Sequence, residues 1–200
     1  MKTLRHLSKI AILVCALLFS YACAKKSNTS GTLTSEDLDS LQTQFSEIKV
    51  QMDQAWVAMM LDDDGKIENL KRLLQEVVYS NNYDQAKIDL LQSKVEAVEN
   101  MRYDQETMRD SDLINQYDLE TEDVIVEIVD YVTSLPAFQT YPLMATLVEE
   151  VQQAEERVLG FRVGYDRTVQ MHNDFIEQNN NHMADIDQDA QLDSKPMFAL

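Results

Sequence analysis

The sequence predicts an all-α protein, an antiparallel up-and-down bundle of about four long helices. Three observations carry that expectation. Apolar residues recur in alternating steps of three and four over most of the chain, which keeps them on one face of a helix. Only four Gly and three Pro interrupt 200 residues, so there are few places to turn. The one β-branched run, Val124 to Val132, has no second run with which to pair as a strand.

The N-terminus differs from the rest. Lys2, Arg5 and Lys9 precede "IAILVCALLFSYACA", an uncharged apolar stretch from Ile10 to Ala24. Basic residues followed by such a run read as a signal peptide. At 1.5 Å per residue the run reaches about 22 Å, short of the roughly 30 Å hydrocarbon core, so a permanent span is the weaker reading. Two cuts fit: after Ala24 for the ordinary signal peptidase, or before Cys23 for the lipoprotein enzyme. Small Ala22 precedes Cys23 as in a lipobox, although Ser20 stands where an aliphatic residue is usual. The sequence is therefore divided into a signal peptide over 1–22 and a lipid-attachment cysteine, Cys23, opening a polar tether over 23–33. A helical bundle over 34–178 and a polar tail over 179–200 follow. Removing Lys2, Arg5 and Lys9 takes the net charge from −18 to −21. At most one cysteine then remains, which excludes an intramolecular disulfide.

Thr34 and Asp37 resemble a capping box at the start of the first helix. Leu38, Leu41, Phe45, Ile48, Met52, Ala55 and Met59 follow on a heptad seam, continued by Ile67, Leu70, Leu74 and Val77. Within that run Asp62, Asp64, Gly65 and Ile67 match four positions of a calcium loop. Met60 and Lys71 occupy the first and twelfth positions, where carboxylates close the cage, so a turn or an uninterrupted helix is expected instead. "YSNNYD" at 79–84 reads as a turn, and Ile88, Leu91, Val95, Val98 and Met101 as the next seam. Thr121, followed by Glu122 and Asp123, suggests the start of a third helix carrying Val124, Ile128, Tyr131 and Leu135 and stopped by Pro136. Pro142 restarts the chain at a first helical position. The line Met144, Leu147, Val151, Ala154, Val158, Phe161, Tyr165, Thr168, His172 and Phe175 then runs unbroken.

These residues resemble the LemA family. In "AEERVLGFRVGYDRTVQMHNDFI", Glu156, Arg162, Tyr165, Val169, Asn173 and Ile176 stand at that family's characteristic positions. Ala55, Trp56, Leu73 and Val77 match its Ala-Trp stretch, "LPAFQTYP" its Tyr-Pro linker, and "KPMFAL" its phenylalanine-containing end. Asp166 and His172 replace an Asn and a Tyr, Lys71 and Arg72 a Pro-Asn, and the N-terminus reads as cleaved where many relatives keep a membrane helix. The resemblance implies a membrane-tethered antiparallel bundle facing outward, in a family without an established biochemical role.

Chemical motifs are sparse. His172 lacks the Glu-x-x-His or His-x-x-x-His spacing of a metal site and reads as a histidine on the seam. His182 with Asp185, Asp187 and Asp189 lies in a polar stretch that reads as solvated tail. No Gly-x-Ser-x-Gly elbow or phosphate-binding glycine loop occurs, so no catalytic, cofactor or metal residue is assigned. Gly160 and Gly164 suggest a close helix crossing, Arg162 and Asp166 an exposed ion pair at a spacing of four, and Trp56 a core position. With 17 basic against 35 acidic residues and no basic cluster, nucleic acid is excluded as a partner. The expected protein is a lipid-anchored envelope module that binds another envelope protein. The alternative is an enzyme or metal-binding protein with a site assembled between helices.

Overall fold

In the computed structural model, which describes residues 33–188 and 194–198, the chain folds as four long helices and a short fifth. Helix α1 spans Ser35–Tyr79, α2 Gln85–Asn100, α3 Ser111–Ser134, α4 Pro142–Asn179 and α5 Met183–Ile186. The 1–22 signal segment and Cys23 lie outside the described residues, as does most of the 23–33 tether.

The two longest helices face each other along the predicted seams. Contacts between them run in opposite directions: Phe45 stacks on Phe175, Trp56 meets Tyr165 edge to face, and Arg157 reaches back to Asp62. That antiparallel pair is the spine. Asp63 and Asp64 of α1 bond Arg102 just beyond α2, while Lys71 meets Glu99, which sets α2 antiparallel to α1. Lys87 and Lys94 of α2 share Glu127 of α3, and Arg162 of α4 grips Asp118 of α3. Each helix thus runs against its predecessor, the up-and-down order expected of short connections.

The main core is formed by the second half of α1, α2, α3 and the first two-thirds of α4, with Leu73, Leu74, Leu91, Ile128 and Leu147 at its centre. Beyond it, α1 and α4 continue together as a two-helix arm. A separate cluster of Phe45, Phe175, Ile176, Met183 and Ile186 closes that arm, with α5 as its cap.

Helix boundaries follow local chemistry. α1 runs without a break through Gly65, so no calcium loop forms. It ends in the predicted turn, where Asn81 takes a left-handed φ of 59°, a conformation Asn tolerates better than most residues. Asp84 caps α2 by accepting from the Lys87 amide, and Pro142 stands in the first turn of α4 as expected. The start of α3 departs from expectation. It begins at Ser111, capped by Asp110, which accepts from the Asp112 amide. Thr121 lies inside the helix, buried, with its hydroxyl satisfied by the carbonyl of Tyr117 at 2.6 Å. Thr-Glu-Asp therefore mimicked an N-terminus whose capping work is done eleven residues earlier by Asp110.

Two further expectations are corrected. The tail does not simply dissolve into solvent: Met183, Ile186 and Phe198 are all buried. Gly160 and Gly164 are exposed, and a Cβ at either would meet nothing within 4 Å, so they mark no close crossing.

Leu73 is wholly buried. Leu73→Ala is expected to lower stability by about 2–5 kcal/mol through lost transfer energy and the cavity left behind. Urea unfolding followed by circular dichroism checks this as a lower midpoint with an unchanged slope.

Candidate functional site

The polar centre of the molecule sits where α1, α3 and α4 meet the loop after α2. A cavity of about 260 Å³ opens there, floored by Met59, Met60, Val158 and Phe161 and walled by charged groups. Lys66 is the least expected of them. It is 3% exposed on the inward face of α1, one residue before Ile67, and its ammonium lies 3.2 Å from Asp63 and 3.0 Å from Glu155 of α4. A buried ammonium is costly unless paired, and both carboxylates are placed to pair it.

Asp63 is the hub. Its second oxygen accepts from the Tyr117 hydroxyl of α3 at 2.5 Å and from Arg102 at 3.1 Å. Burial alone would raise the carboxyl pKa. The Lys66 charge and the bonds from Tyr117, Arg102 and Lys66 outweigh burial and hold it below the ordinary 3.8, so Asp63 is anionic. Tyr117 is pushed strongly upward, first by burial and then by the Asp63 charge, and stays a neutral donor.

A second cluster adjoins the first. Arg162 donates to both oxygens of Asp118 at 2.7 and 2.6 Å and to the Tyr103 hydroxyl at 3.1 Å. It lies 4.9 Å over the ring of Phe198. The Arg162–Asp166 surface pair expected from spacing does not form. The Arg162 fork instead finds a bidentate partner on α3, a geometry a spacing-of-four pair on one helix rarely offers. Asp166 accepts from the Phe198 amide.

The residues singled out in sequence have structural places. Tyr165 is buried between Trp56 and Phe198, at 5.3 and 5.9 Å, and burial raises its pKa to about 12. Trp56 is half-buried against the core and also faces Tyr103. His172 is buried with its ring 5.4 Å from Phe45, on the seam as expected. Asp62 and Asp64, the candidate calcium ligands, are engaged by Arg157 and Arg102 instead. Among the described residues, no three His, Cys, Asp or Glu side chains are arranged to hold a metal, and no helix is long and apolar enough to cross a membrane. The cluster was not legible, because Asp63 and Lys66 come from α1 and Tyr117 and Asp118 from α3. The only signal in the sequence was a lysine one residue before a seam position.

Chemically, most charged groups of the cavity wall pair with one another. Lys66, Arg102 and Arg162 each face a carboxylate, and both tyrosines are held protonated. Glu122, exposed, also lines the cavity and forms no ion pair among the described residues. The network ties three helices and a loop in one register.

No protein-family model, no curated protein and no solved structure matches this chain.

Two predictions follow from the burial of these charges. Asp63→Ala leaves Lys66 with only the half-exposed Glu155 and strips Arg102 and Tyr117 of an acceptor, and is expected to cost about 3–5 kcal/mol. Lys66→Met should cost less, since Asp63 keeps Arg102 and Tyr117; urea midpoints of the two variants decide. His172 titrates below its ordinary 6.5, chiefly from burial, with Lys195 and Lys49 adding repulsion against an opposing bond from Asn173. The unfolded chain therefore protonates first as the pH falls. Stability from this group is complete above about pH 6.5 and declines below it towards the folded-state pKa. In His172→Gln that part of the decline between pH 7.5 and 5.5 should vanish from the urea midpoints.

Proposed function

We propose that this protein is a membrane-tethered, outward-facing helical module of the bacterial envelope that acts by binding another envelope protein. Support for its address comes from the residues before the fold: the basic and apolar leader, Ala22-Cys23, and the polar tether. The LemA-like residues of α1 and α4 point the same way. Three acyl chains on Cys23 would exceed the two signals that make anchoring stable.

One observation carries the binding role. Val50, Val57 and Leu61 are 51%, 53% and 64% exposed, and their spacing of seven and four puts them on one face of α1 with Ala58 between them. Isolated exposed aliphatics are ordinary, but three in line on a helix that already presents its opposite face to the core form a second, unpartnered stripe. Asp53 borders it, and the chain as a whole is strongly acidic. The fitting partner is an amphipathic helix with apolar anchors flanked by basic residues, laid against α1. The alternative, a reactive site between helices, has the 260 Å³ cavity in its favour. Most of its ionic groups are paired with one another, which weighs against it.

Two variants test the proposal. Cys23→Ala should move the protein from the detergent phase to the aqueous phase; unchanged partition refutes the lipid anchor. Val57→Lys with Leu61→Lys should keep the helical spectrum and abolish the in-cell crosslink to a basic helical partner. Persistence of the same crosslink in that double variant would overturn the α1 interface.

A further inference from the structure

The last described segment, 194–198, is held in a way that tail packing does not require. Asn173 of α4 engages both backbone polar groups of one residue: its Nδ2 donates to the Lys195 carbonyl at 3.0 Å and its Oδ1 accepts from the Lys195 amide at 2.9 Å. An amide side chain is suited to this, carrying a donor and an acceptor side by side. Two turns earlier on α4, Asp166 accepts from the Phe198 amide at 2.9 Å. The spacings match. Seven helical residues rise about 10.5 Å, and three residues of extended chain cover about 10 Å.

None of these three bonds reads a side chain. Selectivity falls on Phe198, whose ring is buried against Tyr103 at 5.8 Å, Tyr165 at 5.9 Å and the Arg162 guanidinium at 4.9 Å. Met197 beside it is 50% exposed. Pro196 biases Lys195 towards extended backbone, which lowers the ordering cost of docking. Backbone clamps followed by one aromatic anchor are how grooves take extended peptides from other chains. The resident tail also leaves an interaction unmade: Nε of Arg162 is the one buried side-chain nitrogen or oxygen without a hydrogen-bond partner among the described residues.

We propose that the groove formed by Asn173, Asp166 and the Tyr103–Tyr165–Arg162 pocket is a docking site for an extended segment of a partner protein. That segment carries an aromatic residue three positions after the clamped one, with a basic residue and a proline before it. Residues 194–198 occupy the site in cis and compete with that partner. The basic residue is set by the acidity of this chain, and the proline and aromatic by the resident sequence itself. This site is separate from the α1 stripe and does not depend on membrane attachment.

The test is fluorescence polarisation with an end-blocked, labelled peptide, Ser-Lys-Pro-Met-Phe. The full chain carrying Phe198→Ala should bind it about tenfold or more tightly than the unmodified chain, whose own tail is present at high effective concentration. Adding Asn173→Ala, or replacing the peptide's phenylalanine by alanine, should abolish binding. Equal binding by the two chains, or none by a Phe198→Ala chain that still melts cooperatively, overturns the proposal. Should Phe198→Ala fail to fold, deuterium uptake at residues 194–198 of the unmodified chain decides: it should rise with excess peptide, and no rise overturns the proposal. A dimer of the unmodified chain that Phe198→Ala dissolves and the peptide does not displace would make the occupant a second copy's tail, and the partner reading would fall.

Discussion

The antiparallel pairing of α1 with α4 is the constraint on which the rest depends. Both helices are far longer than α2 and α3, and each devotes one unbroken seam to the other. With 45 residues α1 reaches about 68 Å, more than any single compact core spans. Its length is stabilised chiefly because α4 follows it nearly end to end, as helices in proteins gain most of their stability from a packed amphipathic face. The shorter helices α2 and α3 cover the pair over part of that length, and where they stop the pair goes on alone as the arm. Aromatic contacts concentrate along this line, from Phe45 and His172 in the arm to Trp56 and Tyr165 at the edge of the main core.

On that spine the buried charges act as register marks. Sliding α4 by one turn against α1 would move Glu155 about 5.4 Å from Lys66 and leave an ammonium buried beside a single carboxylate. Apolar seams alone tolerate such slips, because one leucine substitutes for another four residues on. A hydrogen-bonded lysine does not, and polar groups at packed positions are known to fix alignment in coiled coils at some expense of stability. Asp63 extends the same role to α3 and the loop after α2, through Tyr117 and Arg102. This accounts for so much charge inside the domain.

The helices were legible because their signal is local. Leu38 to Met59, Ile88 to Val98 and Met144 to Phe175 announce their inward face by spacing alone, and Tyr165 and His172 fall on it as read. Features that depend on which helix lies alongside were not legible. Arg162 has an acid four residues on, yet its guanidinium takes Asp118 from another helix. Gly160 and Gly164 have the spacing of a close crossing but face outward. Ser111 to Glu120 was missed because Thr121 offered a plausible cap within a helix already under way. The tail, rich in Asp, Asn and Gln, hid single apolar residues, Met183, Ile186 and Phe198, whose burial only the folded surface reveals.

The separation of the two cores has a consequence for motion. The arm rests on a handful of side chains, so it is the part that can open while the four-helix region stays intact, a sub-global transition of the kind amide exchange resolves. The C-terminal segment straddles that boundary: Asn173 lies between His172 and Phe175 on the arm, whereas Phe198 inserts among residues of the main core. A segment bonded to both regions couples the opening of one to its hold on the other. The segment 194–198 held in the groove therefore resists opening of the arm, and fraying of the arm loosens that segment's hold by the same free energy.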